Sequence, residues 1–129
     1  MPKTKTLAAT SSFDRFAAIV GEKHSIRDAR EMAPFLYEPR DLYQGRAAMV
    51  LKPGSTEEVS AILKLAQKTK TAIVPQGGNT GLVGGQISFD RQAVVVSTVR
   101  LDKIREIDAA TNSMTCEAGV VLARAQEAA

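Results

Sequence analysis

The chain has 129 residues, of which 44% are hydrophobic and 24% charged, and it carries a formal net charge of +3. This length and composition are those of one ordinary globular domain. The one cysteine excludes an internal disulfide, and no apolar run approaches the roughly 18 residues of a transmembrane segment. The basic residues are scattered and tryptophan is absent, so we expect no nucleic-acid partner.

The first twelve residues, MPKTKTLAATSS, are polar and include two lysines. They lack the apolar stretch of a secretory signal peptide. We therefore expect a cytoplasmic protein, which in a full-length parent would be at most peripheral to a membrane.

Two helices are predicted in the first third of the chain. Residues 12–20 place four apolar side chains on one helical face, namely Phe13, Phe16, Ala17 and Val20. A second helix is predicted after Ser25, and it should end by Pro34 because proline biases the preceding residue away from the helical region. Residues 34–46 contain two prolines and a glycine and are expected to be irregular.

A strand–helix–strand unit follows. Residues 47–51 form a short apolar strand, and Ser55 and Glu58 are spaced as a capping box that begins a helix. This helix should extend to about Thr69. A second buried strand is predicted over residues 71–75. The helix has an apolar stripe at helical spacing, made of Val59, Ile62, Leu63 and Ala66. Two strands joined by a helix in this way are expected to be parallel.

The second strand leads into a glycine loop, PQGGNTGLVGGQ (residues 75–86), which has five glycines in twelve positions. Parallel sheets bind ligands beyond the carboxyl ends of their strands. The loop lacks the lysine of a P-loop and the glycine spacing of the dinucleotide-binding fingerprint. Its backbone N–H groups can instead form a nest that binds an anion such as a diphosphate by hydrogen bonds, without a lysine. A flexible surface turn is the alternative.

The last third is predicted as a strand over residues 92–98, a turn segment over 101–108, a turn over 111–113 and a strand over 114–118. A helix begins after Gly119 and continues to the last residues. Cys116 alternates with Met114 and Ala118 along the last strand, so we expect a buried structural thiol.

Four stretches together resemble the FAD-linked oxidases whose flavin domain is of the vanillyl-alcohol-oxidase type. They are the glycine loop, MVLKPGSTEEVSAILKLAQ (49–67), VVVSTVRLDKIREID (94–108) and MTCEAGVVLARAQEAA (114–129). More narrowly, they are similar to the D-2-hydroxyacid dehydrogenases, a group that includes D-lactate dehydrogenase, D-2-hydroxyglutarate dehydrogenase and the glycolate oxidase D subunit.

The resemblance implies an α+β fold that begins with an α/β subdomain of short parallel strands. The beginning of a second, mainly antiparallel subdomain would follow. We expect a helical segment over residues 1–36 and the N-terminal part of an FAD-binding domain over 37–129. The chain would end part-way through that domain, without the substrate-binding cap.

The resemblance also implies a cofactor, FAD, bound through its diphosphate. Some relatives attach the flavin covalently through a histidine where this chain has Asn79, so non-covalent FAD is expected. The implied cofactor-binding residues are Pro75, Gln76, Gly77, Gly78, Asn79, Thr80, Gly81, Leu82, Val83, Gly84 and Gly119. No catalytic residue and no metal ligand is assigned to this chain.

Two functions stay open at this point. The first is the FAD-binding part of an oxidoreductase that oxidises a D-2-hydroxyacid and passes electrons to a quinone or an electron-transfer protein. The second is a non-catalytic flavin- or nucleotide-binding module, and the isolated chain is expected to be inactive. Two features outside the loop also keep two readings. Glu117 could line the cofactor cleft or be solvated, and Arg40 with Asp41 could approach the flavin or substrate side, as the resemblance implies, or form a local ion pair. His24 is expected to be exposed and not catalytic.

Overall fold

The structure is a computed structural model that describes residues 11–129. Within these residues, four helices and six strands follow one another, with a single 3₁₀ turn over Glu22–His24. The elements are α1 (Ser12–Val20), β1 (Ser25–Ile26), α2 (Ala29–Leu36), β2 (Met49–Leu51), α3 (Thr56–Thr69), β3 (Ile73–Gln76), β4 (Val94–Ser97), β5 (Ile104–Asp108), β6 (Ser113–Cys116) and α4 (Leu122–Ala128).

The main sheet has four strands in the order β1-β2-β4-β3. Strands β2 and β3 both pair with β4 in parallel, and β1 lies antiparallel to β2 at the edge. The predicted strand–helix–strand unit is present, but β4 lies between its two strands. The carboxyl ends of β2, β3 and β4 therefore meet at one edge of the sheet.

The core lies on both faces of this sheet because β2 and β4 are apolar at every position but the last of β4. One cluster packs α1 and α3 on the sheet around Phe16, Met49 and Ile62, all fully buried. The other packs Met32 of α2 against Val50 and Val95. Helix α1 shares the core of the sheet, while the boundary predicted between residues 36 and 37 stays a prediction.

Helix α3 begins as its sequence predicts, but its buried face is shifted. Ser55 Oγ accepts a hydrogen bond from Glu58 N at 3.2 Å, and the Glu58 carboxylate accepts from Gly54 N at 2.7 Å. The predicted stripe is wrong at Leu63, which is 51% exposed, whereas Leu65 is buried. Both positions carry leucine, so the pattern alone did not distinguish them. The contact with α1 decides which one is covered.

Helix α2 does not end before Pro34 as predicted, because Pro34 lies inside it. Asp28 caps the helix by accepting from the N–H groups of Arg30 and Glu31 at 2.9 and 3.2 Å. A proline in the last turn removes one hydrogen bond, the one that its nitrogen would have donated to the carbonyl oxygen of Arg30. Since the helix ends two residues later, this single loss is tolerated.

The second sheet is an antiparallel hairpin of β5 and β6. The prediction of a turn segment over residues 101–108 is therefore wrong for Ile104–Asp108, which form β5. This strand is largely exposed and has an irregularity between Ile104 and Glu106, so it shows no alternating apolar pattern. The prediction of a buried Cys116 is also wrong, since its thiol is exposed. A strand in a two-stranded sheet has neighbours on one edge only, and alternation does not reveal whether a face is covered.

The mixed α/β architecture agrees with the predicted fold class, a short parallel sheet followed by an antiparallel hairpin. Over residues 11–129, the helices are all too short or too polar to cross a bilayer.

Candidate cofactor site

The glycine loop leaves the carboxyl end of β3 beside the ends of β2 and β4. A pocket of about 360 Å³ lies at this edge, and we call it the loop pocket. Its walls come from four segments: Pro34 and Phe35 of α2, Lys52 after β2, residues 76–79 of the loop, and Ser97 and Val99 at the end of β4. The loop therefore occupies the place where parallel sheets bind ligands.

Gly77 and Gly78 have no packing role that would explain them. A Cβ added to Gly77 would meet only Thr98 Oγ1 at 3.9 Å, and one added to Gly78 would meet only Thr80 Cγ2 at 3.9 Å. Both residues are exposed, and neither has a positive φ. Because the protein itself leaves room for side chains there, their absence fits a ligand that approaches the backbone closely, as a diphosphate in a nest would.

Two other glycines among the predicted site residues are required by the protein's own structure. A Cβ on Gly84, which has φ +79°, would meet the ring of Tyr43 at 3.1 Å, and one on Gly119 would lie 1.9 Å from the carbonyl oxygen of Thr98. A Cβ on Gly81 would lie 2.8 Å from Gln86 Oε1, the end of a flexible side chain that can move aside. Gly84 and Gly119 therefore shape the loop and its surroundings whether or not a ligand is bound.

Two amide side chains of the loop are bonded to the protein. Asn79 Nδ2 donates to the carbonyl oxygens of Pro34 and Tyr37 at 3.1 and 2.5 Å. Gln76 is buried, and its Nε2 donates to the carbonyl oxygens of Phe35 and Gln86 at 2.8 and 3.1 Å. The side-chain N–H groups of Asn79 thus bind α2 and the residue after it.

The segment after α2 holds the other half of the loop. Arg40 Nη2 donates to the carbonyl oxygen of Leu82, and Tyr43 covers Gly84. Glu38 is buried and accepts from the N–H groups of Arg40 and Leu42 at 2.9 and 2.5 Å. The Arg40 N–H in particular holds the pKa of Glu38 below its usual range. Of the two readings of Arg40, the local ion pair is present, with Glu38 at 3.9 Å, and the guanidinium also fixes the loop.

Gly119 lies next to the loop through Thr98. Thr98 Oγ1 donates to the carbonyl oxygen of Ala118 at 3.3 Å. This hydroxyl oxygen of Thr98 is also the atom that a Cβ added to Gly77 would meet. Thr98 directly follows β4. This position at the carboxyl edge of the sheet was the only feature of the sequence that could have indicated that Thr98 lies beside the loop. Glu117, in contrast, points away from the loop pocket. Its carboxylate pairs with Arg105 at 3.1 Å and accepts from Lys103 N, which lowers its pKa.

Lys52 is the charged residue of the loop pocket, and it was not among the predicted site residues. The loop itself has no lysine, and the diphosphate was therefore predicted to be bound without a positive charge. The structure instead places Lys52, the residue after β2, on the wall of the pocket with Gly77 and Gly78. A cation can reach the loop after β3 from the end of β2 because both strands end at the same edge of the sheet. The sequence does not show this, since Lys52 and the loop are far apart along the chain.

The remaining predicted site residues do not line the loop pocket. Pro75 is exposed within β3, and Thr80, Leu82 and Val83 are exposed in the loop outside this pocket. In the part of the chain that the structure describes, no group of three or more His, Cys, Asp or Glu side chains is arranged to hold a metal ion.

A protein-family profile described as an FAD binding domain matches residues 47–129, which include the whole glycine loop. The chain belongs to this family. Its cofactor is FAD. Open glycines at the ends of parallel strands and a cation on the pocket wall are features that fit the diphosphate of that cofactor.

Curated relatives of this FAD-binding domain are hydroxyacid dehydrogenases. The chain is 38% identical over 108 residues to an Arabidopsis thaliana mitochondrial D-2-hydroxyglutarate dehydrogenase. The matched region covers 83% of this chain and 19% of that protein. It is 39% identical over 98 residues to a Saccharomyces cerevisiae D-2-hydroxyglutarate–pyruvate transhydrogenase, covering 75% and 19%. The chain thus spans about a fifth of the length of these relatives.

Solved structures confirm the fold. The chain superposes on alkyldihydroxyacetonephosphate synthase with a TM-score of 0.80 at 21% identity, over 90% of this chain and 26% of the other. It superposes on substrate-bound p-cresol methylhydroxylase with a TM-score of 0.78 at 18% identity, over 91% and 23%. At these identities the likeness shows the vanillyl-alcohol-oxidase type of fold and nothing about the substrate.

The expectation of a cytoplasmic protein is contradicted. The Arabidopsis relative carries a mitochondrial name, and so does a Danio rerio D-2-hydroxyglutarate dehydrogenase that is 41% identical over 80 residues, covering 61% of this chain and 15% of that protein. The expectation depended on the lack of an apolar signal in the first twelve residues, of which 1–10 lie outside the described residues. That test does not separate the two compartments, because mitochondrial transit peptides are amphipathic and not apolar.

Proposed function

We propose that the glycine loop of this FAD-binding domain binds the diphosphate of FAD through the backbone of residues 76–79. In this proposal, residues 80–84 together with Pro75 and Gly119 shape the bed on which the diphosphate lies. The observation that carries it is the room left at Gly77 and Gly78, two glycines that neither packing nor backbone conformation requires.

The FAD is proposed to be non-covalent. The resemblance places Asn79 where relatives with covalent flavin have a histidine. An asparagine amide is not a nucleophile, and the two hydrogen bonds of Asn79 to α2 and the residue after it hold it in place.

In a longer protein of the relatives' kind, we propose oxidation of a D-2-hydroxyacid to the 2-oxoacid, with a quinone or an electron-transfer protein as the final acceptor. Bound FAD supplies the acceptor for the hydride from C2 of the substrate. The residues of this chain bind and orient the cofactor. Lys52 is the one acid–base side chain among those that line the loop pocket. We propose that the chain by itself is inactive.

The test compares Gly78→Val with Gly85→Val, followed by calorimetric titration with FAD. Both glycines are exposed, and a Cβ has open space or ordinary contact at each, so neither variant should lose stability. Gly78 lines the loop pocket and Gly85 does not. We expect Gly78→Val to weaken FAD binding at least about tenfold, because a side chain there replaces backbone N–H contacts with the diphosphate. Gly85→Val should bind like the unchanged chain.

Equal FAD affinities of the two variants would contradict the proposal, since the open backbone of residues 76–79 would then not be the binding surface. Thermal unfolding of both variants is the control for folding. A chain that binds no FAD before substitution would contradict it as well.

A further inference from the structure

Lys52 lies at the end of β2 with its backbone fixed on both sides. Its N–H donates to the carbonyl oxygen of His24 at 2.9 Å, and its own carbonyl oxygen accepts from Arg100 Nη1 at 2.7 Å. The residue is half-buried and lines the loop pocket together with Gly77 and Gly78. The root of this side chain is therefore held rigidly beside the glycine loop.

The corner around Lys52 has more positive than negative charge. Arg100 lies 3.9 Å from the Glu58 carboxylate, which offsets its charge in part. Among the side chains of residues 11–129, Lys52 takes part in no ion pair, and no carboxylate lines the loop pocket. A cation next to the open glycines of the loop, with no carboxylate of the protein in the pocket to pair with, fits a ligand anion.

His24 reports this charge. Partial burial holds the pKa of His24 below its usual range, and the positive charges of Arg100, Lys23 and Lys52 lower it further. Glu58 is the carboxylate that acts in the opposite direction. His24 is the only histidine of the chain, so its imidazole resonance can be followed without overlap.

We propose that Lys52 supplies the positive charge of the diphosphate site, taking the part that a lysine within the loop plays in a P-loop. This inference rests on the proposed binding of FAD at the glycine loop. It assigns to the site a preference for a dianionic diphosphate, whether that group belongs to FAD, to ADP or to free pyrophosphate. The lysine comes from β2, which is parallel to β3 and lies on the other side of β4, because all three strands end at the same edge of the sheet.

The experiment compares Lys52→Gln with Lys52→Arg, and with Lys64→Gln as a matched control that removes the same charge from an exposed position on α3. FAD and ADP are titrated calorimetrically at low and at high salt. Lys52→Gln should weaken both ligands about fivefold to tenfold at low salt, the size expected for one partly exposed charge-assisted hydrogen bond. Lys52→Arg should retain most of the affinity. The affinity of the unchanged chain should fall more steeply with salt than that of Lys52→Gln.

A second readout does not depend on the affinity of a variant. Saturating ADP should raise the pKa of His24 in the unchanged chain, because the diphosphate brings negative charge to this corner. Lys52→Gln should itself raise the pKa of His24, since it removes one of the positive charges. The first of these shifts tests where the diphosphate lies and the second tests where the lysine lies.

Equal affinities of Lys52→Gln and Lys64→Gln would overturn the proposal for Lys52, and so would an unchanged His24 pKa on addition of ADP. The Gly78→Val variant separates this failure from that of the proposed function. If Gly78→Val loses FAD while Lys52→Gln keeps it, the loop binds the diphosphate without the lysine. If both keep it, or if the unchanged chain binds neither FAD nor ADP, both proposals fail.

Discussion

Asn79 is the side chain whose removal tests how the glycine loop is held. Its amide joins the loop to α2 and the residue after it through two hydrogen bonds, at 3.1 Å to Pro34 and 2.5 Å to Tyr37. Its backbone is left-handed, with φ 56°, a conformation that asparagine and glycine adopt more readily than alanine. Its Oδ1 atom is buried and has no hydrogen-bond partner among the described residues.

These features give the size of the effect of Asn79→Ala. Two lost hydrogen bonds cost about 1 kcal/mol each, and alanine at this φ costs about 1 kcal/mol more. Removal of the unpartnered oxygen returns about 1 kcal/mol. We therefore expect Asn79→Ala to lower the free energy of unfolding by about 2 kcal/mol, and Asn79→Gly, which adopts the left-handed region without a steric cost, by about 1 kcal/mol.

Equilibrium unfolding in urea at neutral pH measures both variants. The reasoning would be refuted if Asn79→Ala unfolded within about 0.5 kcal/mol of the unchanged chain, the size of an ordinary surface substitution. If alanine and glycine were equally destabilising, the hydrogen bonds would account for the loss and the backbone conformation would not.

Two further predictions concern residues around the loop. Gly119→Ala should lower the free energy of unfolding by about 3 kcal/mol or more, because its Cβ would lie 1.9 Å from the Thr98 carbonyl oxygen and the backbone must move. Gly85→Ala is the control, since a Cβ there meets no other atom within 4 Å. Equal stability of the two variants in urea would contradict this prediction. The lowered pKa of Glu38 predicts a stabilising contribution that is fully present above its ordinary value of 4.5 and is lost as the pH falls through the folded value. Glu38→Gln should therefore show a smaller drop in stability between pH 7 and about pH 3 than the unchanged chain, and parallel pH profiles would contradict that.

The glycine loop is held largely by residues outside the part of the chain that the family profile matches, which begins at residue 47. Pro34 and Tyr37 accept from Asn79, Arg40 donates to Leu82, and Tyr43 covers Gly84. The irregular segment after α2 is thus part of the proposed cofactor site. Its sequence, with Pro39 and Gly45, predicted the irregular backbone but not its contact with the glycine loop.

The sequence by itself determined the elements whose signals are local. The capping box at Ser55, the apolar runs of β2 and β4, and the glycine loop after β3 were all predictable, because each depends on neighbouring residues. The resemblance of four stretches identified the fold and FAD. The missing lysine and the glycine spacing of the loop had already separated the chain from P-loop and dinucleotide-binding proteins.

Only the tertiary structure decided which glycines are packed against the protein and which have open space around them. Gly78 and Gly84 look alike in sequence, but one faces open space and the other lies under Tyr43. The same holds for Lys52, which reaches the loop pocket because parallel strands distant in sequence end at one edge. Which face of a helix is buried, which leucine is covered and which strands end at one edge all depend on contacts between elements. The residue pattern within a single element does not determine these contacts.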